Sequence, residues 1–161
     1  MRRPRLRWLA PLTAAALATA CAAPLQQRVS GETRARIVFQ NAMGGGFRLV
    51  RLEITLDGAP IRLVADDGGR LNEAEWVEVY DGPVTAGAHT LAVRLVYRGH
   101  GLGVFAYLKG YTFRVVATHT LKIAPGTTTA LTVRGYERVD VPLAERPAVD
   151  FRPGAPRSPA P

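Results

Sequence analysis

Histidine residues could bind a metal or carry acid–base chemistry, but their spacing in this chain favours neither. Zinc needs three or four converging ligands, and no two of His89, His100 and His119 stand at the spacing of zinc ligands. His89 falls early in a predicted strand, where we expect its ring to bond to the backbone. His119 is in register with apolar residues, which predicts a histidine in the core or at its rim.

The serines and acidic residues do not form a catalytic set either. Ser30 and Ser158, the only serines, lie outside the patterned middle of the chain, and a nucleophile must be held rigidly beside its base. The acidic concentration at positions 66–81 does not follow a calcium loop, because Arg70 and Leu71 occupy positions that should coordinate the ion. We therefore predict no enzyme activity, no cofactor and no metal site. The alternative is a hydrolase, such as a glycosidase with paired carboxylates, but nothing in the sequence singles out a pair.

The segment 98–111 is the least ordinary part of the sequence. It places four glycines and three aromatic residues in a link between predicted strands, whereas hairpin links usually have two to five residues. One interpretation is a further short strand at 104–108, with Phe105 and Tyr107 packed on the sandwich, Tyr111 on the same period-two face, and Tyr97 partly exposed. The alternative is a binding rim, in which glycines allow close backbone approach and tyrosines offer flat contact surfaces. The candidate interaction residues are Tyr97, Phe105, Tyr107 and Tyr111, and the nearby basic residues are Arg94, Arg98 and Lys109, which would favour an anionic partner.

The first 20 residues have the features of a secretory signal peptide. Four arginines within residues 2–7 precede a charge-free stretch that is too short to cross a bilayer. The run Leu17–Cys21 resembles the lipobox of bacterial lipoproteins, in which the cysteine is acylated. The resemblance implies export and a lipid anchor at Cys21, and Ala22 in place of aspartate implies the outer membrane. The alternative is cleavage after Ala20 by ordinary signal peptidase, which would leave Cys21 as a free thiol.

The positive charge of the chain does not indicate a nucleic-acid partner. Four of the 21 basic residues lie in the first 20 residues, so about half of the net charge of +8 belongs to that segment. The other basic residues are scattered along the sequence, whereas nucleic-acid binding needs a contiguous basic face. We therefore expect no nucleic acid among the partners.

Residues 33–141 show the period-two alternation of half-buried strands. Val50, Leu52, Ile54 and Leu56 form one such run, and signals such as Asp57–Gly58 mark the turns between runs. About seven runs predict an all-β fold, namely a small immunoglobulin-like sandwich. We expect residues 21–32 to be a tether and residues 142–161 to be a disordered, proline-rich tail without which the domain still folds.

Parts of this pattern resemble known β-domains. The segments Leu56–Pro60, Ala86–Val93 and Pro125–Val133 resemble PEGA-type surface domains, in which a DGxP turn, a GxHxLxV strand and a final strand after a glycine turn recur in this order. Tyr97–Phe113 is similar to uncharacterised exported proteins from proteobacteria. Some of those bear the name dihydrolipoamide acetyltransferase, but this chain lacks the HxxxDG motif of that activity. The resemblance implies a β-sandwich and supplies no activity.

These observations predict a cell-envelope β-domain that acts as a non-enzymatic interaction or structural module. Its expected partners are the membrane, through the lipid anchor, and another envelope protein. The alternative is a binder of a small ligand or glycan that uses the segment 98–111.

Overall fold

The computed structural model describes residues 31–65, 69–101 and 103–154, except for the side chains of residues 103–105. Within these ranges the chain forms two four-stranded sheets that pack face to face, so the predicted all-β sandwich is confirmed. The strands are β1 (Arg34–Ala42), β2 (Phe47–Leu56), β3 (Ala59–Ala65), β4 (Trp76–Pro83), β5 (Gly87–Gly99), β6 (Thr112–Ile123), β7 (Thr128–Glu137) and β8 (Pro147–Pro153). The short helix α1 (Arg70–Glu73) precedes β4, and two 3₁₀ helices cover Gly103–Gly110 and Leu143–Glu145.

Each sheet combines strands that are consecutive in sequence with strands that are distant in sequence. The first sheet has the order β4-β1-β7-β8 and the second has the order β3-β2-β5-β6. Neighbouring strands are antiparallel, except that β1 and β7 run parallel. In β5 the alternation is regular, because Leu91, Val93 and Leu95 are buried while Arg94 and Arg98 are exposed. Each sheet therefore has one apolar face in the core and one face in solvent.

Tyr97 belongs to the core, and the prediction that it is partly exposed is wrong. Its side chain is 0 % exposed, because β5 continues to Gly99 and the residue keeps the inward parity of Leu95. The Tyr97 hydroxyl lies against Gly135 of β7, where a Cβ atom would collide with it. The glycine thus makes room for the largest side chain in the core.

The prediction of a disordered tail over residues 142–161 is wrong for its first part. A 3₁₀ turn is followed by β8, which pairs antiparallel with β7. Val149 and Phe151 pack against the core from alternate positions, which is the period-two pattern of a half-buried strand. The prolines are tolerated because Pro147 and Pro153 stand at the two ends of an edge strand. Residues 155–161 lie outside the described part.

The two ends of the sandwich differ. At the end that we name the tether end, the chain enters β1, and Thr33 is fixed there by accepting hydrogen bonds from Val84 N (3.0 Å) and Gly126 N (2.8 Å). At the opposite end, the loop end, lie the β1–β2 turn and the links that contain α1 and the two 3₁₀ helices. The nine residues of β1 at about 3.3 Å each separate the two ends by roughly 30 Å.

Candidate functional site

The segment Gly103–Gly110, which we name the loop helix, is a 3₁₀ helix, so the prediction of a short strand at 104–108 is wrong. It packs on the end of β5, where Gly99 N donates a hydrogen bond to Tyr111 O at 2.9 Å. A Cβ atom on Gly99 would collide with the carbonyl of Leu108. The glycine therefore permits a close approach of the chain to itself, and this need could have been suspected from the glycine density alone.

Two of the four predicted interaction residues lie on the surface of the loop end. Tyr107 and Tyr111 are 59 % and 54 % exposed. Tyr111 stacks on Phe113 (6.3 Å between ring centroids, 26°), which in turn packs edge-on against the buried Phe47 (5.1 Å, 73°). Core aromatics therefore hold Tyr111 in place while leaving one of its faces to solvent.

The other two predicted interaction residues do not join this surface. Tyr97 is in the core, as described above, and the side chain of Phe105 lies outside the described part of the chain. The expectation that Phe105, Tyr107 and Tyr111 share one strand face fails, because the loop helix does not have the period of a strand. A single aromatic cleft formed by all four residues is thereby excluded.

A small cavity lies on one flank of the loop helix. Its volume is about 210 Å³, and it lies between the loop helix and the 3₁₀ turn that precedes β8. Tyr107 and Leu108 line it from one side, and Leu143 and Arg146 line it from the other. Arg146 is already engaged there, since its guanidinium lies 3.5 Å from a carboxylate oxygen of Glu137.

On the second sheet's side of the loop end lies a larger open site, which we name the basic cleft. It consists of two adjoining cavities of about 340 and 280 Å³, and both are lined by Arg48 and His100. Arg98 and Lys109 line the smaller cavity. Four basic side chains thus converge on one concavity, namely those of Arg48 from β2, Arg98 from β5, His100 just after β5, and Lys109 from the loop helix.

Arg48 and Arg98 stand directly opposite each other on β2 and β5. Like charges in this arrangement destabilise a sheet unless an anion lies between them. Within the ranges that the structure describes, no carboxylate lies within ion-pair distance of Arg48, Arg98 or Lys109. Sequence reasoning singled out Arg98 and Lys109 but missed Arg48, because only strand pairing brings it beside Arg98.

The wall of the basic cleft is fixed by Asn72 of α1. The Asn72 side chain accepts a hydrogen bond from Leu49 N (2.8 Å) and donates one to Leu49 O (2.9 Å). It thereby continues the ladder of β2 beyond Ala65, where β3 ends. Asn41 Nδ2 donates a further hydrogen bond to Asn72 Oδ1 (3.2 Å). An amide side chain that takes the place of a missing strand cannot be recognised in the sequence, where it is only a polar residue near a turn.

The remaining acidic and histidine residues are accounted for elsewhere. Asp66 and Asp67 of the acidic segment lie outside the described residues. His119 is half-buried and stacks on Phe151 at 4.7 Å, which makes it a rim histidine as predicted. Among the residues that the structure covers, no group of three histidine, cysteine or acidic side chains is arranged to bind a metal.

His89 lies at the tether end and is almost fully buried. Its Nε2 is 2.9 Å from Thr85 O, which is the predicted backbone bond, and its Nδ1 is 2.6 Å from Asp57 Oδ2, a partner that was not predicted. The hydrogen bond to Asp57 and then that to Thr85 raise the pKa of His89. The hydrogen bond from His89 and then that from Thr90 N lower the pKa of Asp57.

The fold and the site together define an all-β sandwich with two tyrosines and a basic cleft at one end. A comparison with protein-family models, with curated proteins and with solved structures finds no match. In the described ranges, no helix is long and apolar enough to cross a membrane.

Proposed function

We propose that this protein is a non-enzymatic module of the cell envelope, lipid-anchored at Cys21, that binds its partner through the loop end. The observation that carries the proposal is the arrangement of the two ends. The chain enters β1 through Thr33 at the tether end, whereas the exposed tyrosines and the basic cleft lie at the opposite end. Cys21 itself lies outside the described residues.

An anchor at Cys21 would present the loop end away from the membrane. The chain is held at Thr33 by bonds to two turns of the tether end, so the domain is attached there. The loop end then lies roughly 30 Å further out, the length of β1. This orientation favours a partner in the surrounding compartment over the lipid of the anchoring membrane.

The surface chemistry of the loop end supports binding. Tyr107 and Tyr111 are more than half exposed. Tyr107 nevertheless belongs to the loop helix, which packs on the end of β5, and Tyr111 is held by its stacking on Phe113. Tyrosine offers a large rigid contact surface that loses little conformational entropy on binding, which is why it is common in interfaces. Leu108, between them, is 4 % exposed and holds the loop helix on the sandwich.

The second candidate function is the binding of a small ligand at the same end. The basic cleft favours it, because small ligands bind in concave sites with a few converging polar groups. A neutral glycan is the less suitable ligand, since neither Tyr107 nor Tyr111 lines this cleft, its Phe47 is buried, and basic residues line it. The chemistry of such a ligand is developed in the next section.

Site-specific photo-crosslinking in the native envelope tests the proposal. A photoreactive residue at position 107 or 111 should give a discrete adduct, because these side chains face the partner. Leu63 and Val116 provide matched controls, since they are also exposed apolar residues (59 % and 65 %) but lie midway along the second sheet. Adducts from positions 63 and 116 with none from 107 and 111 would place the partner elsewhere and contradict the proposal.

A further inference from the structure

We propose that the basic cleft binds a phosphorylated ligand, with Arg48, Arg98 and Lys109 as the residues that hold its phosphate groups. This inference names the ligand chemistry of the loop end and so rests on the proposed binding role of that end. The proposal requires neither catalysis nor a bound metal ion in the cleft, because binding of the anion is sufficient.

The cleft has an excess of positive charge, which a bound anion would balance. Two of its cations, Arg48 and Arg98, face each other across β2 and β5 without a carboxylate between them among the described residues. Lys109 enters from the loop helix and lines the same cavity. Among the described residues, Glu73 is the one carboxylate that lines the cleft, and it lies on the α1 side, in the cavity that it shares with Arg48 but not with Arg98 and Lys109.

The geometry suits phosphate better than a single carboxylate. The guanidinium group presents a planar fork of donors that matches two phosphate oxygens, and two such groups here share one cavity. A phosphate monoester carries about −1.5 to −2 charges at neutral pH, so a ligand with two phosphates would balance the three permanent cations. The cavities of about 340 and 280 Å³ leave room for such a group beside its carrier.

The cleft differs from the other basic surface of the molecule. On the outer face of the first sheet the arginines are neutralised in place, since each lies within 4.0 Å of an aspartate. These pairs are Arg34 and Arg36 with Asp81, and Arg134 and Arg152 with Asp150. On the second sheet Glu53 lies near Arg51 (3.5 Å) and Arg94 (3.9 Å), further from the loop end. Exposed cations without a carboxylate partner among the described residues also occur elsewhere, at Arg62, Arg114 and Lys122. The cleft differs in that three such cations line one cavity.

Calorimetric titration of the full-length protein in a non-ionic detergent with pyrophosphate tests the inference. Pyrophosphate should bind at one site per chain, and the double variant Arg98→Gln/Lys109→Gln should bind it at least tenfold more weakly. The matched control is Arg62→Gln/Lys122→Gln, which removes the same charge from exposed positions nearer the tether end and should change the affinity less than twofold.

A thermal melt without ligand separates loss of the site from loss of the fold. Arg98→Gln removes a repulsion between like charges, so its Tm should equal or exceed that of the wild type. If the wild type does not bind pyrophosphate, or if the control double variant loses affinity as strongly as the cleft variant, the inference is wrong. The crosslinks from positions 107 and 111 do not depend on this outcome, so the proposed function can stand when the phosphate site fails.

The phosphate could belong to a soluble molecule or to a lipid headgroup, and competition distinguishes the two sources. Glycerophosphoglycerol, the soluble headgroup of an anionic phospholipid, carries a phosphodiester with a single charge. Displacement of pyrophosphate by this compound at comparable concentration would assign the cleft to a lipid headgroup. Pyrophosphate binding without displacement would assign it to a ligand with terminal phosphates, which is the result we expect because the loop end faces away from the tether.

Discussion

At the scale of single residues, His89 at the start of β5 contacts Asp57 of the β2–β3 turn, although the two lie 32 residues apart in sequence. Both ring nitrogens of His89 face oxygen acceptors, namely the Asp57 carboxylate (2.6 Å) and the Thr85 carbonyl (2.9 Å). Only the doubly protonated ring can donate to both, which is why the pKa of His89 is raised and that of Asp57 is lowered. The pair thus stabilises the tether end as an ion pair.

The pH dependence of stability follows from these directions. The raised pKa of His89 gives stability that is fully present below its ordinary value of 6.5 and is lost as the pH rises through the folded value. The lowered pKa of Asp57 gives stability that is present above its ordinary value of 3.8 and is lost as the pH falls through the folded value. We therefore expect the Tm advantage of the wild type over Asp57→Asn to be largest between about pH 4 and 6.5. Asparagine tolerates the positive φ of 50° at this position, so the turn is retained. A Tm difference that is constant across pH would contradict the prediction.

Tyr97 offers a second test at the residue scale. Its hydroxyl is buried without a hydrogen-bond partner in the described structure, and burial raises the pKa of the phenol. A buried polar group without a partner costs about 1–3 kcal/mol. Tyr97→Phe should therefore raise the free energy of unfolding by about 1 kcal/mol in denaturant titrations. Tyr136→Phe, at a half-buried tyrosine, is the control and should stay within about 0.5 kcal/mol of the wild type. A less stable Tyr97→Phe variant would show that the hydroxyl has a partner.

At the scale of elements, alternation predicted the strands well, because a half-buried strand reports its two faces directly in the sequence. The runs around Val50–Leu56 and Leu91–Tyr97 lie in β2 and β5. The loop helix and β8 were missed for different reasons. In the loop helix, the glycine and aromatic residues do not follow a helical period. In β8, the density of prolines favoured a disordered tail over the strand that the short alternation around Val149 and Phe151 indicates.

Strand β8 provides the test at this scale. Truncation after Val141 removes all of β8 and leaves β7 as an edge strand, so we expect a markedly lower Tm and a tendency to aggregate. Phe151→Ala removes a partly buried ring that stacks on His119, and should cost about 2 kcal/mol, less than the 3–5 kcal/mol of a fully buried phenylalanine. Truncation after Gly154 is the matched control and should leave the Tm unchanged. An unchanged Tm after the longer truncation would mean that β8 contributes nothing to the fold.

At the scale of the whole molecule, the pairing of distant strands was beyond the sequence. The parallel contact of β1 with β7 joins segments more than 90 residues apart, and no local signal reports it. The basic cleft is of the same kind, since β2 and β5 must pair before Arg48 and Arg98 meet. The sequence therefore indicates individual residues of the loop end, but it does not indicate which of them form one site.

The proposed anchor at Cys21 is the whole-molecule property on which the proposed orientation of the loop end depends. Cys21→Ala removes the residue that we propose is acylated. Because the acyl chains supply the attachment, the protein should then move from the membrane to the soluble periplasmic fraction. The described domain begins ten residues later, so its Tm should not change. Mass spectrometry of the wild-type N-terminus should show the acyl modification directly. Arg114→Gln, an exposed change on β6, is the control and should remain in the membrane.

An unmodified N-terminus, or a Cys21→Ala variant that stays in the membrane, would mean that the domain is held there by something other than a lipid at Cys21. The roughly 30 Å between the two ends would then no longer indicate which way the basic cleft faces.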